Sequence, residues 1–207
     1  MTAQAPANTV VVLDFETTGL SPTQGDRAIE IGAVLLENGQ ATARFQELMN
    51  PGFRISSFIE DYTGISNAML QEAAPCDEVM GRFYQFVGQH NMVAHNASFD
   101  QRFLEAEFAQ IGRRLNGDFA CSMLLSRRLF QDAPNHKLSS LVSYNNIDND
   151  GVFHRALADS EMTAKLWLCL LKQLEQHYSV ISPSFALMQQ ISRKSKANVA
   201  SFLHKIA

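Results

Sequence analysis

Val10-Val11-Val12-Leu13-Asp14-Phe15-Glu16-Thr17-Thr18-Gly19-Leu20 is the stretch on which the reading of this chain turns. A run of β-branched and aliphatic residues ends in two carboxylates one residue apart, followed by a Thr-Thr-Gly turn. In a strand, side chains at i and i+2 point to the same face. Asp14 and Glu16 therefore project side by side from the strand's C-terminal end. Like charges that close repel unless a cation lies between them, and a hard divalent ion such as Mg²⁺ or Mn²⁺ prefers carboxylate oxygens. Taken alone, the pair is also what a solvated strand end carries. The metal reading needs further acids downstream.

Working outward, residues 9–15 are apolar on both faces, as in a buried central strand. Residues 20–26 hold Ser21-Pro22 and Gly25 and read as a loop. AIEIGAVLLE at 28–37 forms a second strand, Asn38-Gly39 signals a tight hairpin, and residues 41–48 return as a third. The chain thus opens with a meander rather than with β-α-β units. Residues 53–74 look irregular, with short helical pieces around 66–72. Val79, Phe83, Phe86 and Val87 mark an amphipathic helix over 75–89. Residues 91–95 are a short apolar strand. A second helix over 98–111 carries Phe99, Phe103, Leu104 and Phe108 on its apolar face, and asparagine 96 or Ser98 can cap it. Residues 118–121 suit a short edge strand, and helices follow over 122–130, 138–145 and 156–176. The expected division is a flexible lead-in at 1–8, one domain at 9–178 and a helical C-terminal appendage at 179–207.

The 207 residues are enough for one well-buried core, and 46% are hydrophobic. A formal net charge of −4 excludes a strongly basic nucleic-acid coat but not a local basic groove. Arg102, Arg113, Arg114, Arg127, Arg128 and Lys137 are candidates for one, as are Arg193, Lys194, Lys196 and Lys205 in the tail. Cys76, Cys121 and Cys169 are far apart, which is neither a zinc pattern nor a disulfide framework and suits a reducing compartment. The N-terminal residues carry no apolar segment behind basic residues, and the run at 9–15 is too short to span a bilayer. A soluble cytoplasmic protein without membrane attachment is expected.

Two further acids follow. His95-Asn96-Ala97-Ser98-Phe99-Asp100 leaves the short strand and opens a helix, with Asp100 in its first turn facing back towards the strand ends. An acid there also serves as a complement to the helix dipole. His154-Arg155-Ala156-Leu157-Ala158-Asp159 leads into the long helix, with small residues beside Asp159 that permit close approach.

Asp-Phe-Glu-Thr-Thr-Gly at 14–19, His-Asn-Ala-Ser-Phe-Asp at 95–100 and His-x-Ala-x-x-Asp at 154–159 resemble the three motifs of the DEDDh exonucleases. Each motif is weak alone, but the ordered set is specific, and the resemblance runs from about residue 10 to 171. It extends to the proofreading subunits of bacterial replicative polymerases and to ribonuclease T. The fold it implies is α/β and ribonuclease H-like, a mixed five-stranded sheet flanked by helices. The activity it implies is metal-dependent 3′–5′ hydrolysis of terminal phosphodiester bonds, preferably in single-stranded DNA, in proofreading or repair.

On that resemblance Asp14, Glu16, Asp100 and Asp159 hold two divalent ions, Mg²⁺ or Mn²⁺. His154, with an unperturbed pKa of about 6.5, is the general base. Thr17, Thr18 and Gly19 contact the terminal nucleotide through the backbone, Leu20 and Phe99 pack against its base or sugar, and Asn96 helps order the site. The expected partners are single-stranded nucleic-acid 3′ ends, with room for a polymerase or other replication or repair protein and for a homodimer. Competing readings are an RNA 3′-trimming enzyme, a nucleic-acid-binding subunit with a vestigial site and a small-molecule phosphohydrolase. The intact set of acids with His154 speaks against a vestigial site.

Overall fold

A computed structural model describes residues 5–148 and 155–206. Five strands form one mixed sheet in the order β3-β2-β1-β4-β5. They are β1 (Val10–Thr17), β2 (Ala28–Glu37), β3 (Gln40–Leu48), β4 (Met92–Ala94) and β5 (Phe119–Cys121). β1, β2 and β3 pair antiparallel, while β4 and β5 add in parallel beside β1. The two-residue turn Asn38-Gly39 has positive φ at both positions, 53° and 78°, as a type I′ hairpin requires. The meander therefore follows from local turn chemistry, and the parallel strands arrive later through helical crossovers.

The two faces of the sheet bury different rows of β1. Val10 and Val12 join a core with Leu125, Leu141, Trp167 and Leu170, contributed by α5 (Ser122–Leu129), α6 (Leu138–Tyr144) and α7 (Ala156–Tyr178). Val11, Leu13 and Phe15 join the opposite core with Val79, Phe83, Phe103 and Phe108, from α3 (Cys76–Val87) and α4 (Ser98–Gln110). Asp14 and Glu16 thus continue the row of Val10 and Val12, on the α7 side, past the point where the apolar core ends. The helices α8 (Phe185–Arg193) and α9 (Val199–Leu203) bury Phe185, Met188, Ile191, Val199 and Leu203 in the same core as Trp167. Arg128 and Lys194 of the proposed basic set are engaged within the chain. Arg128 donates to the Lys194 carbonyl, and Lys194 Nζ lies 4.4 Å from the Phe202 ring centroid. Among the described residues, no helix is long and apolar enough to cross a membrane.

The start of the chain's longest helix is seated on β2 through one missing side chain. A Cβ on Gly32 would lie 2.1 Å from the Leu157 nitrogen and 2.2 Å from the Ala156 carbonyl carbon. Gly32 is also the cross-strand neighbour of Asp14, so the helix comes down beside the acid. Backbone cannot swing aside as a flexible side chain can. Gly32→Ala is expected to destabilise the protein at or beyond the upper end of the ~1–3 kcal/mol typical of overpacking. Guanidinium unfolding measures this, and an unchanged midpoint would contradict the close approach.

Residues 53–74 are more ordered than their sequence suggests. They contain α1 (Ser57–Thr63) and α2 (Asn67–Glu72). Ser56 caps α1 by accepting from the Ile59 N–H, and Gly64 ends it with φ 70°, a serine-to-glycine bracket typical of helix limits. The capping expectation for α4 is corrected. Its N-cap is Ala97, and no side chain caps it. Asn96 instead takes a left-handed backbone, φ 69°, which asparagine tolerates better than most residues, and turns the chain from β4 into the helix.

Candidate active site

The acids meet at the C-terminal end of β1. Single carboxylate oxygens of Asp14, Glu16 and Asp159 all lie within 4.8 Å of one another. Asp159 reaches them from the first turn of α7. Asp100 comes from the other side of the sheet. β4 stops at Ala94, so the Phe15 N–H on that edge has no strand partner, and Asp100 Oδ1 accepts it at 3.2 Å. Asp100 is 2% exposed and lines the same cavity as the other three acids.

Electrostatics set this cluster apart from an ordinary solvated set of acids. Burial pushes the Asp14 carboxyl well above the usual carboxylate range, and the charges of Asp100, Asp159, Glu16 and Glu30 add to the effect. Glu16 is raised to about 7 by burial, then by Asp159 and Glu30, with Arg155 opposing. Asp100 is raised to about 8, chiefly by burial, against the hydrogen bonds that favour its charged form. Asp14, Glu16 and Asp100 thus hold their protons more tightly than they would in water, chiefly because they are buried and then because negative charge is concentrated around them. The donor set is entirely carboxylate oxygen, partly buried and convergent. That fits hard divalent cations such as Mg²⁺ and Mn²⁺ and suits soft ions poorly.

The cavity has a volume of about 560 Å³. It is lined by Asp14, Glu16, Thr17, Gly19, Leu20, Asn96, Phe99, Asp100 and Asp159 of the expected residues. Thr18 is not among its lining. Its N–H donates to the Arg27 carbonyl at 2.9 Å, and its hydroxyl accepts from the Arg27 N–H at 3.0 Å. Arg27 is held in turn by a bidentate pair with buried Glu107, both contacts 2.8 Å. Thr18 thus braces the turn through both its N–H and its hydroxyl. Gly19 is needed for space, since a Cβ there would lie 2.4 Å from the Asp26 carboxylate that accepts from the Ser21 N–H. Leu20 lines the cavity but remains 78% exposed, so it stands at the rim rather than as an inner wall. His154 lies outside the described residues.

Sequence reasoning missed three features. Phe58, Ile59, Tyr62 and Thr63 of α1 line the cavity. Phe58 and Tyr62 stack at 6.1 Å between ring centroids with 12° between planes, although they are 71% and 54% exposed. The i, i+4 spacing of two aromatics between Ser56 and Gly64 is the signal that points to them. His95 also lines the cavity. One ring nitrogen meets Ser122 Oγ at 2.9 Å and the other the His136 carbonyl at 3.0 Å. A carbonyl only accepts, so Nε2 carries the hydrogen and Nδ1 accepts from Ser122. Burial pushes this imidazole down to about 4, so it is a neutral brace and not a base for neutral pH. The third feature is Glu30, wholly buried beside Glu16.

Comparison with known proteins fits this geometry. Residues 11–167 match the family model RNase_T, described as Exonuclease. The chain is 36% identical over 198 residues to the 3′-5′ exonuclease DinG of Bacillus subtilis (strain 168), a match that covers 94% of this chain and 20% of that protein. It therefore spans about a fifth of that relative's length. It is 32% identical over 173 residues to DNA polymerase III subunit epsilon of Aquifex aeolicus (strain VF5), covering 83% of this chain and 85% of that one. In structure it is similar to exonuclease X in complex with 5′ overhanging duplex DNA. The TM-score is 0.69 at 26% identity, over 88% of this chain and 99% of that one.

Proposed function

The chain belongs to the RNase_T exonuclease family, and from that premise we propose that it is a 3′–5′ exonuclease that releases nucleoside 5′-monophosphates, preferably from single-stranded DNA. The observation that carries the reading is the convergence of Asp14, Glu16 and Asp159 within 4.8 Å, with Asp100 on the same cavity. These four acids would hold two divalent ions. Ions held there would lower the pKa of the attacking water and offset charge building on the phosphate and the departing oxygen.

The protein's own groups do the rest. Asp14 and Glu16 hold their oxygens on one strand face, and Asp159 and Asp100 close on them from helices on opposite faces of the sheet. His154 takes the proton of the attacking water. The water oxygen bonds to phosphorus, the bond from phosphorus to the 3′-oxygen breaks, and the departing 3′-oxygen takes up a proton from solvent, so that the shortened strand leaves with a 3′-hydroxyl. Backbone around Thr17 and Gly19, with Asn96, orients the terminal nucleotide. Phe99, Leu20 and the Phe58–Tyr62 pair offer apolar faces for sugar and bases. Base stacking on an aromatic ring contributes roughly 1–3 kcal/mol and tolerates any sequence. The polymerase III subunit among the relatives makes a DNA polymerase the partner to test first.

A gel of 5′-labelled linear strands beside circular single strands, with Mg²⁺, tests the activity. The label should remain on products that shorten stepwise from the 3′ end, circles should stay intact, and a bulky 3′ block should stop digestion. Matched RNA should be degraded more slowly. Nicked circles or immediate release of the 5′ label would contradict the reading, and faster loss of RNA would reassign the substrate.

A further inference from the structure

We propose that Glu30 is a positioning residue which, with Arg155 and Gly32, sets the register of α7 on the sheet and so places Asp159 against Asp14 and Glu16. The proposal rests on the nuclease reading above. Glu30 is 0% exposed and pairs directly across the ladder from Glu16, so the two side chains share a face. A buried carboxylate beside a cluster of acids is costly unless its oxygens are hydrogen-bonded and its charge is matched.

Both requirements are met, the charge by Arg155 alone and the hydrogen bonds by the start of α7 together with β3. Arg155 Nη2 donates to Glu30 Oε1 at 2.8 Å, and Arg155 Nε donates to Oε2 at 3.1 Å. Gln46 Nε2 donates to Oε1 at 2.9 Å, and the Ala156 N–H to Oε2 at 3.1 Å. Glu30 is thus committed to protein donors, which keeps it from acting as a further ligand. The Ala156 bond matters most. A helix leaves its first N–H groups without intrahelical partners, and α7 has no side-chain cap of its own. Glu30 supplies that cap from β2, at the positive end of the helix dipole.

One turn on, Ser160 Oγ donates to the Gly32 carbonyl at 2.9 Å. Asp159 therefore sits between two residues of α7 that are each bonded to β2, across the seat that Gly32 leaves open. A misplacement of about 1 Å in a reacting constellation can cost 10²-fold. Residues that orient metal ligands typically contribute 10–100-fold in affinity or activity.

Glu30→Gln keeps shape and an acceptor for Ala156 but releases Arg155. Calorimetric titration of the metal-free full chain should show Mn²⁺ affinity weakened ~10–100-fold. With saturating Mn²⁺, kcat should fall by a similar factor while KM for a single-stranded oligonucleotide holds. Arg155→Lys keeps the charge without the two-pronged geometry and should lose less, in the same order. If Glu30→Gln folds poorly, Glu30→Gln with Arg155→Met removes both charges, and should recover melting temperature but not metal affinity. Folded variants with wild-type Mn²⁺ affinity and kcat, and only a lower melting temperature, would make Glu30 a structural residue and overturn the proposal. A raised KM with unchanged kcat would do the same. Wild-type protein that bound no Mn²⁺ would remove the nuclease reading itself, whereas normal binding by both wild type and Glu30→Gln removes the clamp alone.

Discussion

Asp14→Asn is expected to abolish hydrolysis while raising the melting temperature of the metal-free protein at pH 8. The first half follows from charge. Losing one carboxylate from the cluster removes several kcal/mol of metal-derived stabilisation, roughly 10³–10⁵-fold in rate. The second half follows from the raised proton affinities. Burial, together with Asp100, Asp159, Glu16 and Glu30, holds Asp14 above its ordinary range, and Glu16 and Asp100 are raised to about 7 and about 8. A group whose folded pKa is raised contributes stability that is fully present below its unfolded value, about 4 for these acids. That contribution is lost as pH rises through the folded value. The metal-free wild type should therefore melt lower at pH 8 than at pH 5, and Asp14→Asn should flatten the dependence. Bound ions reverse the trend, because deprotonated acids bind them and protons are released. Scanning calorimetry at both pH values in chelator measures this. A metal-free variant that melts below wild type at pH 8 would contradict it.

His154→Ala should lower kcat by about 10²–10⁴, the usual range for losing a positioned base, and leave Mn²⁺ affinity close to wild type. The wild-type profile of kcat against pH, taken at saturating metal, should show an acidic limb where the base takes up its proton. The variant should lose that limb and depend on hydroxide instead. His95 cannot substitute, since both its ring nitrogens are engaged and it is held down to about 4. Single-turnover kinetics with metal saturation separates the roles. Lost metal affinity with unchanged turnover of the loaded enzyme would make His154 a ligand instead.

What could be read from the sequence was set by short-range patterns. The parity of Asp14 and Glu16 along β1 and the Asn38-Gly39 turn are local, and so is the apolar spacing of the helices. They were enough for the meander and the acids on it. Glu30 was hidden because it sits in an apolar strand, AIEIGAVLLE, where its partners are Gln46, 16 residues away, and Arg155, 125 residues away. No window reading pairs those. Phe58 and Tyr62 were missed because α1 has only 7 residues, too few for periodicity to rise above its polar surroundings. Thr18 was placed at the nucleotide by the resemblance, and its bonds to Arg27, which is held in turn by Glu107 from α4, join residues that no window reading pairs.

The central claim is that the acids at the end of β1 hold the ions through which the strand end is hydrolysed. Its most direct test is the rate of mononucleotide release from a single-stranded oligonucleotide, followed as Mn²⁺ is titrated into metal-free protein at pH 8 with binding measured in parallel. The account predicts two ions per wild-type chain, with hydrolysis rising as the second binds, and weakened binding with no release for Asp14→Asn. Wild-type release in excess chelator, or full release by Asp14→Asn, would contradict it.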